Sequence, residues 1–215
     1  TYVEPFGGAA SVLLRKPRSS IEVYNDIHGE VVNFFRVLRD RPSDLLRAIE
    51  LTPYSREEWE LSLSPEGDEL ERARRFYVNS WQSYVGGGTN NGSSWRIART
   101  RAGRGITPVD DWTNTGHMQD VVARLQGVFI ERDNALEVLH RYDQKRTLFY
   151  VDPPYVHSTR VHKARYEGEM TDDDHAALAE ALHAVDGMVI VSGYPSTLYD
   201  ELYAGWETAD RLAVT

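Results

Sequence analysis

The alternation of short apolar runs with amphipathic stretches constrains this chain more than any other feature. Apolar runs occur at residues 21–24, 127–130, 148–151 and 188–191, and apolar residues recur at helical spacing at 9–16, 31–38, 135–140 and 171–185. This alternation is typical of βα units. The sequence therefore predicts an α/β fold with a mainly parallel sheet, which such proteins cover with helices on both faces.

The βα pattern is interrupted between residues 53 and 120. This segment predicts one helix through Trp59 and another from Leu70 to Trp81, followed by a Gly, Thr and Asn-rich stretch at 86–92 that cannot pack into a core. A chain of 215 residues is long enough for one α/β core with an elaboration, but short for two independent domains. We therefore predict a core formed by residues 1–52 and 121–215, with a mainly helical segment inserted at 53–120.

Several classes of protein are disfavoured by what the sequence lacks. No stretch approaches the roughly 18 apolar residues of a membrane span. The chain has no cysteine, which excludes disulfides, thiolate metal sites and a cysteine nucleophile, and its seven histidines show no HExxH or paired-ligand spacing. We therefore predict no metal site. The first residues have the pattern of a strand end, and the last residues, 212–215, form an apolar run. We therefore expect the sequence to be part of a longer protein.

Charge is distributed very unevenly along the chain. The net charge is -9, yet residues 72–109 contain seven arginines and no acidic residue. Since a solvated face would usually mix both signs, the window predicts a basic patch that contacts phosphates. The candidate contacts with nucleic-acid phosphates are four of its arginines and one more that follows residues 152–155: Arg96, Arg99, Arg101, Arg104 and Arg160. For Arg160, a solvated loop is an equal alternative. The aromatic residues at 76–84 are spaced as helix core.

A glycine-containing turn follows the first predicted strand and comprises Glu4, Pro5, Phe6, Gly7, Gly8 and Ala9. Glycine lets a ligand approach the backbone, and the following helix offers unpaired N–H groups. The next strand ends in Asn25 and Asp26, where a carboxylate can accept hydrogen bonds from ribose hydroxyls. The two features together predict an adenosine-containing cofactor. For Asp26, a cap of the helix that begins near Ile27 is an equal alternative.

The most specific motif consists of Asp152, Pro153, Pro154 and Tyr155, directly after the apolar run at 148–151. An aromatic amine is a poor nucleophile because its lone pair is delocalised into the ring. A carboxylate and a backbone carbonyl that accept both of its N–H bonds favour a more reactive, pyramidal nitrogen. The prolines stiffen the turn, and the tyrosine offers a face for stacking a base. The sequence therefore predicts chemistry on an exocyclic amine.

In their order along the chain, these motifs resemble those of the Dam-type (D12 class) adenine-N6 DNA methyltransferases. The resemblance rests on residues 4–8, 25–28, the segment 53–120 and residues 152–155. It implies a Rossmann-like methyltransferase sheet, S-adenosylmethionine as cofactor and double-stranded DNA as substrate, with the target base flipped. By resemblance, Phe6, Gly7 and Gly8 line the cofactor, Asp26 holds its ribose, and Asp133, followed by Asn134, lies near its adenine; Asp152, Pro153 and Tyr155 hold the flipped base.

The chain departs from the family pattern in two places, and alternatives remain open. His28 replaces the second Asn of the motif at 25–28, and the Gly-Gly-Lys segment that the family carries before the first strand is absent. An RNA adenine-N6 methyltransferase, a DNA cytosine-N4 methyltransferase and an inactive DNA-binding relative are the competing hypotheses. The resemblance implies a cytoplasmic enzyme of a prokaryote or a phage. Restriction-modification is one biological role that the resemblance allows. The sequence does not indicate the oligomeric state.

Overall fold

A computed structural model describes residues 1–84, 94–96, 108–156 and 170–211 of the chain. The strands within these ranges are β1 (Tyr2–Glu4), β2 (Glu22–Asn25), β3 (Val128–Glu131), β4 (Leu148–Val151) and β5 (Met188–Val191). The helices are α1 (Ser11–Arg15), α2 (Gly29–Asp40), α3 (Pro42–Glu50), α4 (Arg56–Ser62), α5 (Glu69–Gln82), α6 (Pro108–Thr113), α7 (His117–Leu125), α8 (Ala135–Tyr142), α9 (Asp172–Ala184) and α10 (Thr197–Leu202).

The five strands form one sheet in the order β3-β2-β1-β4-β5, and every neighbouring pair is parallel. The predicted parallel sheet is confirmed, with β4 and β5 at the predicted residues and β2 and β3 each one residue later. The strand order reverses direction between β1 and β4. In an open α/β sheet, a crevice for ligands forms at such a switch point, outside the carboxyl ends of the strands.

Helices cover both faces of this sheet, as the apolar runs predict. On one face, Tyr2, Tyr24 and Val128 pack with the buried residues of α1, α2, α5 and α7. On the other face, Val3 and Phe149 pack with buried residues of α8 and α9. Period-2 alternation along β1, β2 and β4 thus sends successive side chains into two separate cores, whereas the edge strands β3 and β5 each contribute to one core and expose the other face.

A buried carboxylate joins two of these helical segments to the sheet. Glu22 on β2 is 2% exposed and accepts hydrogen bonds from Arg124 at 2.5 Å and from Lys16 at 2.6 Å. Burial alone would raise the pKa of Glu22, but the bonds from Arg124 and Lys16 lower it to about 2. The paired charge therefore holds α7 and the end of α1 against the sheet.

Helix α5 organises the segment between α3 and α6 by packing on α2, α3 and α4. Tyr77 is buried and Phe76 and Trp81 pack against the core, which agrees with their helical spacing. Tyr84 lies beyond the end of α5 and is 71% exposed. The predicted helices through Trp59 and from Leu70 are both present. The boundaries 53 and 120 remain a proposal.

Two further predictions concern the ends of elements. Thr171 and Asp174 form the predicted capping box at the start of α9, each side chain bonding the other's backbone N–H. The Gly-rich stretch at 86–92 and the apolar run at 212–215 lie outside the described residues.

In the described ranges, no helix is both long enough and apolar enough to cross a membrane.

Candidate active site

The carboxyl ends of all five strands lie at one edge of the sheet, where five loops come together. These loops are residues 5–10 after β1, 26–28 after β2, 132–134 after β3, 152–156 after β4 and 192–196 after β5. The predicted cofactor and catalytic residues all belong to the first four loops or to the last residue of β1. Parallel pairing therefore brings together motifs that are up to about 150 residues apart in the sequence.

The loop after β1 is pressed against β2 on one side and open on the other. Gly7 N donates to Asn25 O at 2.7 Å, and the Tyr24 hydroxyl donates to Gly8 O at 2.7 Å. A Cβ on Gly7 would lie 2.2 Å from the Tyr24 ring, so this position excludes any side chain. Gly8 has a φ of +47° and nothing within 4 Å of its would-be Cβ. The backbone at Gly8 and Ala9 is thus exposed to a ligand.

Asp26 bridges the loops after β1 and β2. Its Oδ2 accepts from Gly8 N at 2.8 Å, and its Oδ1 accepts from His28 N at 2.8 Å. A carboxylate has about four acceptor positions, so lone pairs remain for another donor. The N-cap of α2 is His28, whose Nδ1 accepts from Val31 N at 3.4 Å. The capping alternative for Asp26 is therefore wrong, and the unexpected histidine serves the helix N-terminus.

Asn25 is a site residue whose role the sequence did not reveal. Its side chain is fully buried and donates to Pro5 O at 2.8 Å and to Asp133 O at 3.0 Å. Its Oδ1 accepts from Asp133 N at 2.8 Å. One amide thus ties the loop after β1 to the loop after β3. The signal that could have revealed it is a strand-terminal Asn directly before the acidic residue.

Asp133 and Asn134, which are predicted to lie near the adenine of the cofactor, also have hydrogen-bond partners within the protein. Asp133 Oδ2 accepts from Arg141 at 2.6 Å, and this guanidinium lowers the pKa of Asp133. Asn134 is the N-cap of α8, and its Oδ1 accepts from Leu136 N at 2.8 Å. Asp133 is partly exposed and Asn134 is exposed.

Glu4, Pro5 and Phe6 lie deeper than the glycines that follow them. Glu4 is 2% exposed, and its Oε1 accepts from the Tyr2 hydroxyl at 2.6 Å. Burial raises the pKa of Glu4, and bonds from Tyr2 and from the backbone of Leu13 oppose that shift. Pro5 is buried, and Phe6 packs partly buried against the second core. The Glu4 side chain therefore supports the loop from beneath.

The loop after β4 presents an exposed carboxylate beside an aromatic side chain. Asp152 is exposed, and its Oδ1 accepts from Ser192 Oγ at 2.6 Å. Pro153 is buried and Pro154 is partly buried. The Tyr155 ring contacts the edge of Tyr194, with 4.8 Å between the ring centroids.

The Tyr155 phenol stays protonated at this position. Burial raises the pKa of Tyr155 to about 12, and the neighbouring charge of Asp152 adds to the shift. A neutral ring presents its face for stacking without placing a second negative charge beside the carboxylate.

The loop after β1 and the loop after β4 lie next to each other because β1 and β4 are neighbouring strands. Tyr2 is paired with Leu148 and Val3 with Phe149. After burial and its hydrogen bonds, the charge of Asp152 also contributes to the raised pKa of Glu4, which reflects the closeness of the two loops. The exposed backbone at Gly8 and the Asp152 carboxylate thus flank the switch point.

The side chains and backbone of this edge suit a cationic ligand. The carboxylates of Asp26 and Asp152 favour positive charge, while that of Asp133 is paired with Arg141, and the exposed backbone at Gly8 and Ala9 permits close approach. Across the described ranges, no three His, Asp or Glu side chains are grouped so that they could hold a metal ion.

The arginines of the basic window form two groups along the sequence, one at residues 72–75 and one at residues 96–104. Arg72 pairs with Glu30, Arg74 with Glu58 at 2.6 Å, and Arg75 with Glu71 at 2.7 Å. For these three the prediction of a phosphate-binding patch is corrected, because acidic residues from outside the window neutralise them. Arg72 and Arg74 join α5 to α2 and α4, whereas the Arg75 pair lies within α5.

Arg96 is the one predicted DNA contact within the described ranges. It is partly exposed, and its backbone N donates to Gln82 O at 2.7 Å while its O accepts from the Tyr54 hydroxyl at 2.6 Å. The backbone at this position is therefore anchored to α5 and to the segment before α4. Arg99, Arg101, Arg104 and Arg160 lie outside the described residues.

The parallel sheet, its helical layers and the loops at its carboxyl edge define a Rossmann-like methyltransferase. The family model for D12 class N6 adenine-specific DNA methyltransferases matches residues 1–213, and the chain belongs to this family. The family methylates adenine in DNA, and methyltransferases generally use S-adenosylmethionine. Comparison with curated proteins finds no match.

Proposed function

We propose that this protein transfers a methyl group from S-adenosylmethionine to the N6 atom of adenine at specific sites in double-stranded DNA, with the target base flipped out of the helix. The observation that carries the proposal is the junction of β1 and β4. There, the loop bearing Gly8, whose N–H donates to Asp26 of the loop after β2, adjoins the loop bearing Asp152.

The first half of the site fits the cofactor, which supplies an electrophilic methyl group when bound. Asp26 would accept hydrogen bonds from the ribose hydroxyls with the lone pairs that Gly8 N and His28 N leave available. The exposed backbone of Gly8 and Ala9 would contact the amino acid end, beside Phe6 and Gly7. Asp133 and Asn134, clamped through Asn25, would line the adenine.

The second half of the site fits the target amine. Asp152 would accept one N–H bond of the adenine amine, and a backbone carbonyl of the loop would accept the other, which favours a nucleophilic nitrogen. Pro153 and Pro154 donate no N–H and keep the turn rigid. Tyr155 would stack on the base. An amine inside a duplex cannot reach this edge, so the base must be extruded.

The competing substrates present similar amines to a similar loop. RNA adenine and DNA cytosine N4 remain alternatives, as does a protein that kept the fold without activity. Membership in the adenine-specific family and an aspartate at position 152 support adenine in DNA. We expect the substrate to be the DNA of a prokaryotic or phage-infected cell.

A product assay tests the proposal directly. The protein is incubated with methyl-labelled S-adenosylmethionine and, separately, with unmethylated plasmid DNA and with RNA, and the digested nucleosides are separated. We expect label in N6-methyldeoxyadenosine. Label in N4-methylcytosine or in RNA adenosine favours an alternative substrate, and binding of DNA without any transfer favours the inactive relative.

Replacing Asp26 by Ala should weaken S-adenosylmethionine binding by about tenfold to a hundredfold, since a hydrogen bond to a charged group is worth about 1.5–3 kcal/mol. DNA binding should change little. Titration calorimetry on the two ligands separately measures both. Asp26→Asn, which keeps an acceptor for Gly8 N but loses the charge, should give an intermediate loss. An unchanged cofactor affinity in Asp26→Ala would remove Asp26 from the cofactor site.

The predicted DNA contacts are tested together. Replacing Arg96, Arg99, Arg101 and Arg104 by Gln should reduce the salt slope of DNA binding by roughly 0.9 for each phosphate that these arginines neutralise in the parent. Cofactor affinity should stay the same. The control replaces the exposed Arg47 and Arg146, which lie outside the window, and should leave the slope unchanged. A quadruple variant with the parent's slope would place DNA recognition elsewhere, and we would look for it first at residues 160–165.

A further inference from the structure

The loop after β5 contributes a side chain to the site that the family motifs at residues 4–8, 25–28 and 152–155 do not include. Ser192 follows the last residue of β5, and its Oγ donates to Asp152 Oδ1 at 2.6 Å. The bond joins residues that are 40 positions apart. It is short, as expected for a hydroxyl that donates to a carboxylate.

The backbone on both sides of Ser192 is held in place. Ser192 N donates to Val151 O at 2.9 Å, which continues the β4–β5 pairing by one residue. A Cβ on Gly193 would lie 2.3 Å from the Tyr199 ring, so the chain passes directly against α10 at this point. The Tyr199 hydroxyl in turn lies 3.4 Å from His175 Nδ1 on α9. The backbone that carries the Ser192 hydroxyl therefore has a fixed position.

Asp152 is more exposed to solvent than Ser192. It is exposed, and an exposed aspartate ordinarily exchanges between rotamers. The bond from Ser192 to Oδ1 restricts that motion, and a hydrogen bond with Tyr155, which contributes to the raised pKa of Tyr155, adds to the restriction. A carboxylate has about four acceptor positions, so lone pairs remain for another donor. Misplacement of a reacting group by about 1 Å can cost a hundredfold in rate.

We propose that Ser192 is a positioning residue for methyl transfer, which orients the Asp152 carboxylate so that its Oδ2 meets the target amine. The inference rests on the proposed function and assigns no direct contact between Ser192 and the substrate. It predicts that the loss of the hydroxyl lowers kcat and leaves the affinity for S-adenosylmethionine unchanged.

Three variants separate positioning from a structural role. Ser192→Ala removes the hydroxyl, Ser192→Thr keeps it, and Ser196→Ala removes a hydroxyl from the same segment that caps α10 by accepting from Tyr199 N at 3.2 Å. Each is assayed for kcat and KM with methyl-labelled S-adenosylmethionine on unmethylated plasmid DNA, for cofactor Kd by calorimetry and for Tm. We expect kcat to fall about tenfold in Ser192→Ala, with Kd unchanged, and to recover within about twofold in Ser192→Thr. Ser196→Ala should keep the parent's kcat.

The outcomes distinguish this inference from the proposed function. If the parent transfers no methyl group to adenine, the proposed function fails, and the inference fails with it. If the parent is active and Ser192→Ala has the same kcat, only the inference is overturned. Equal losses in Ser192→Ala and Ser192→Thr, or the same loss in Ser196→Ala, would assign the effect to the stability of the segment and also overturn it.

Discussion

Replacing Asp152 by Ala should lower methyl transfer by at least about a thousandfold, or about 4 kcal/mol of barrier, while the affinity for S-adenosylmethionine stays within about twofold. The proposed bond of Asp152 is to the base amine, and its carboxylate accepts from Ser192 at the same edge of the sheet rather than from the loops after β1 and β2. Single-turnover transfer to unmethylated DNA, with calorimetry for the cofactor, measures both quantities.

The control for this variant is Asp173→Ala, which removes an exposed carboxylate from the first turn of α9. It changes the net charge by the same amount and should keep the parent's rate. Turnover of Asp152→Ala within about tenfold of the parent would rule out Asp152 as the group that orients the amine.

Replacing Asn25 by Ala should destabilise the protein and also open its cofactor site. The change removes two donors and one acceptor from a fully buried position, and it leaves Asp133 N without its partner. An unsatisfied buried group costs about 1–3 kcal/mol, so we expect a loss of about 3 kcal/mol in the free energy of unfolding. For a domain of this size, that corresponds to a fall in Tm of roughly 6–12 °C. Affinity for S-adenosylmethionine should fall at least about tenfold, because the loops after β1 and β3 lose their common tie.

Asn33→Ala is the matched control, since Asn33 is also a buried asparagine and donates to Glu69 O at 2.9 Å, away from the strand ends. It should lower Tm without changing cofactor affinity in the folded protein. Thermal unfolding and calorimetry below the transition separate the two effects. A cofactor affinity for Asn25→Ala equal to that of Asn33→Ala would show that the tie supports the fold alone.

The charge pattern of the basic window is changed by helix packing. Residues 72–109 contain no acidic residue, so the sequence predicts a basic surface. In the fold, Glu30 from α2 and Glu58 from α4 reach Arg72 and Arg74, and Glu71 precedes the window by one position. Hydrogen bonds from Arg74 lower the pKa of Glu71 to about 2, with Arg75 contributing after the opposing effect of burial. Local charge counts cannot anticipate partners that helix packing brings from other segments.

The sequence by itself determined the class of fold and the residues that carry chemistry. Period-2 and period-3.6 patterns depend only on neighbouring positions, so the strands at 148–151 and 188–191 and the capping box at Thr171 could be predicted. The motif at residues 152–155 is likewise contiguous. Its chemistry follows from a carboxylate, two prolines and an aromatic ring in that order.

Only the tertiary structure decided which groups position those residues. The bond between Ser192 and Asp152 depends on the pairing of Val151 with Val191, and the bonds of Asn25 to Pro5 and Asp133 depend on β1, β2 and β3 being neighbours. Strand order and register are set by the packing of whole elements over two cores, which no local pattern encodes. Likewise, the cap of α2 could be assigned to His28 rather than Asp26 only from the structure, where α2 begins at Gly29 and His28 Nδ1 accepts from Val31 N.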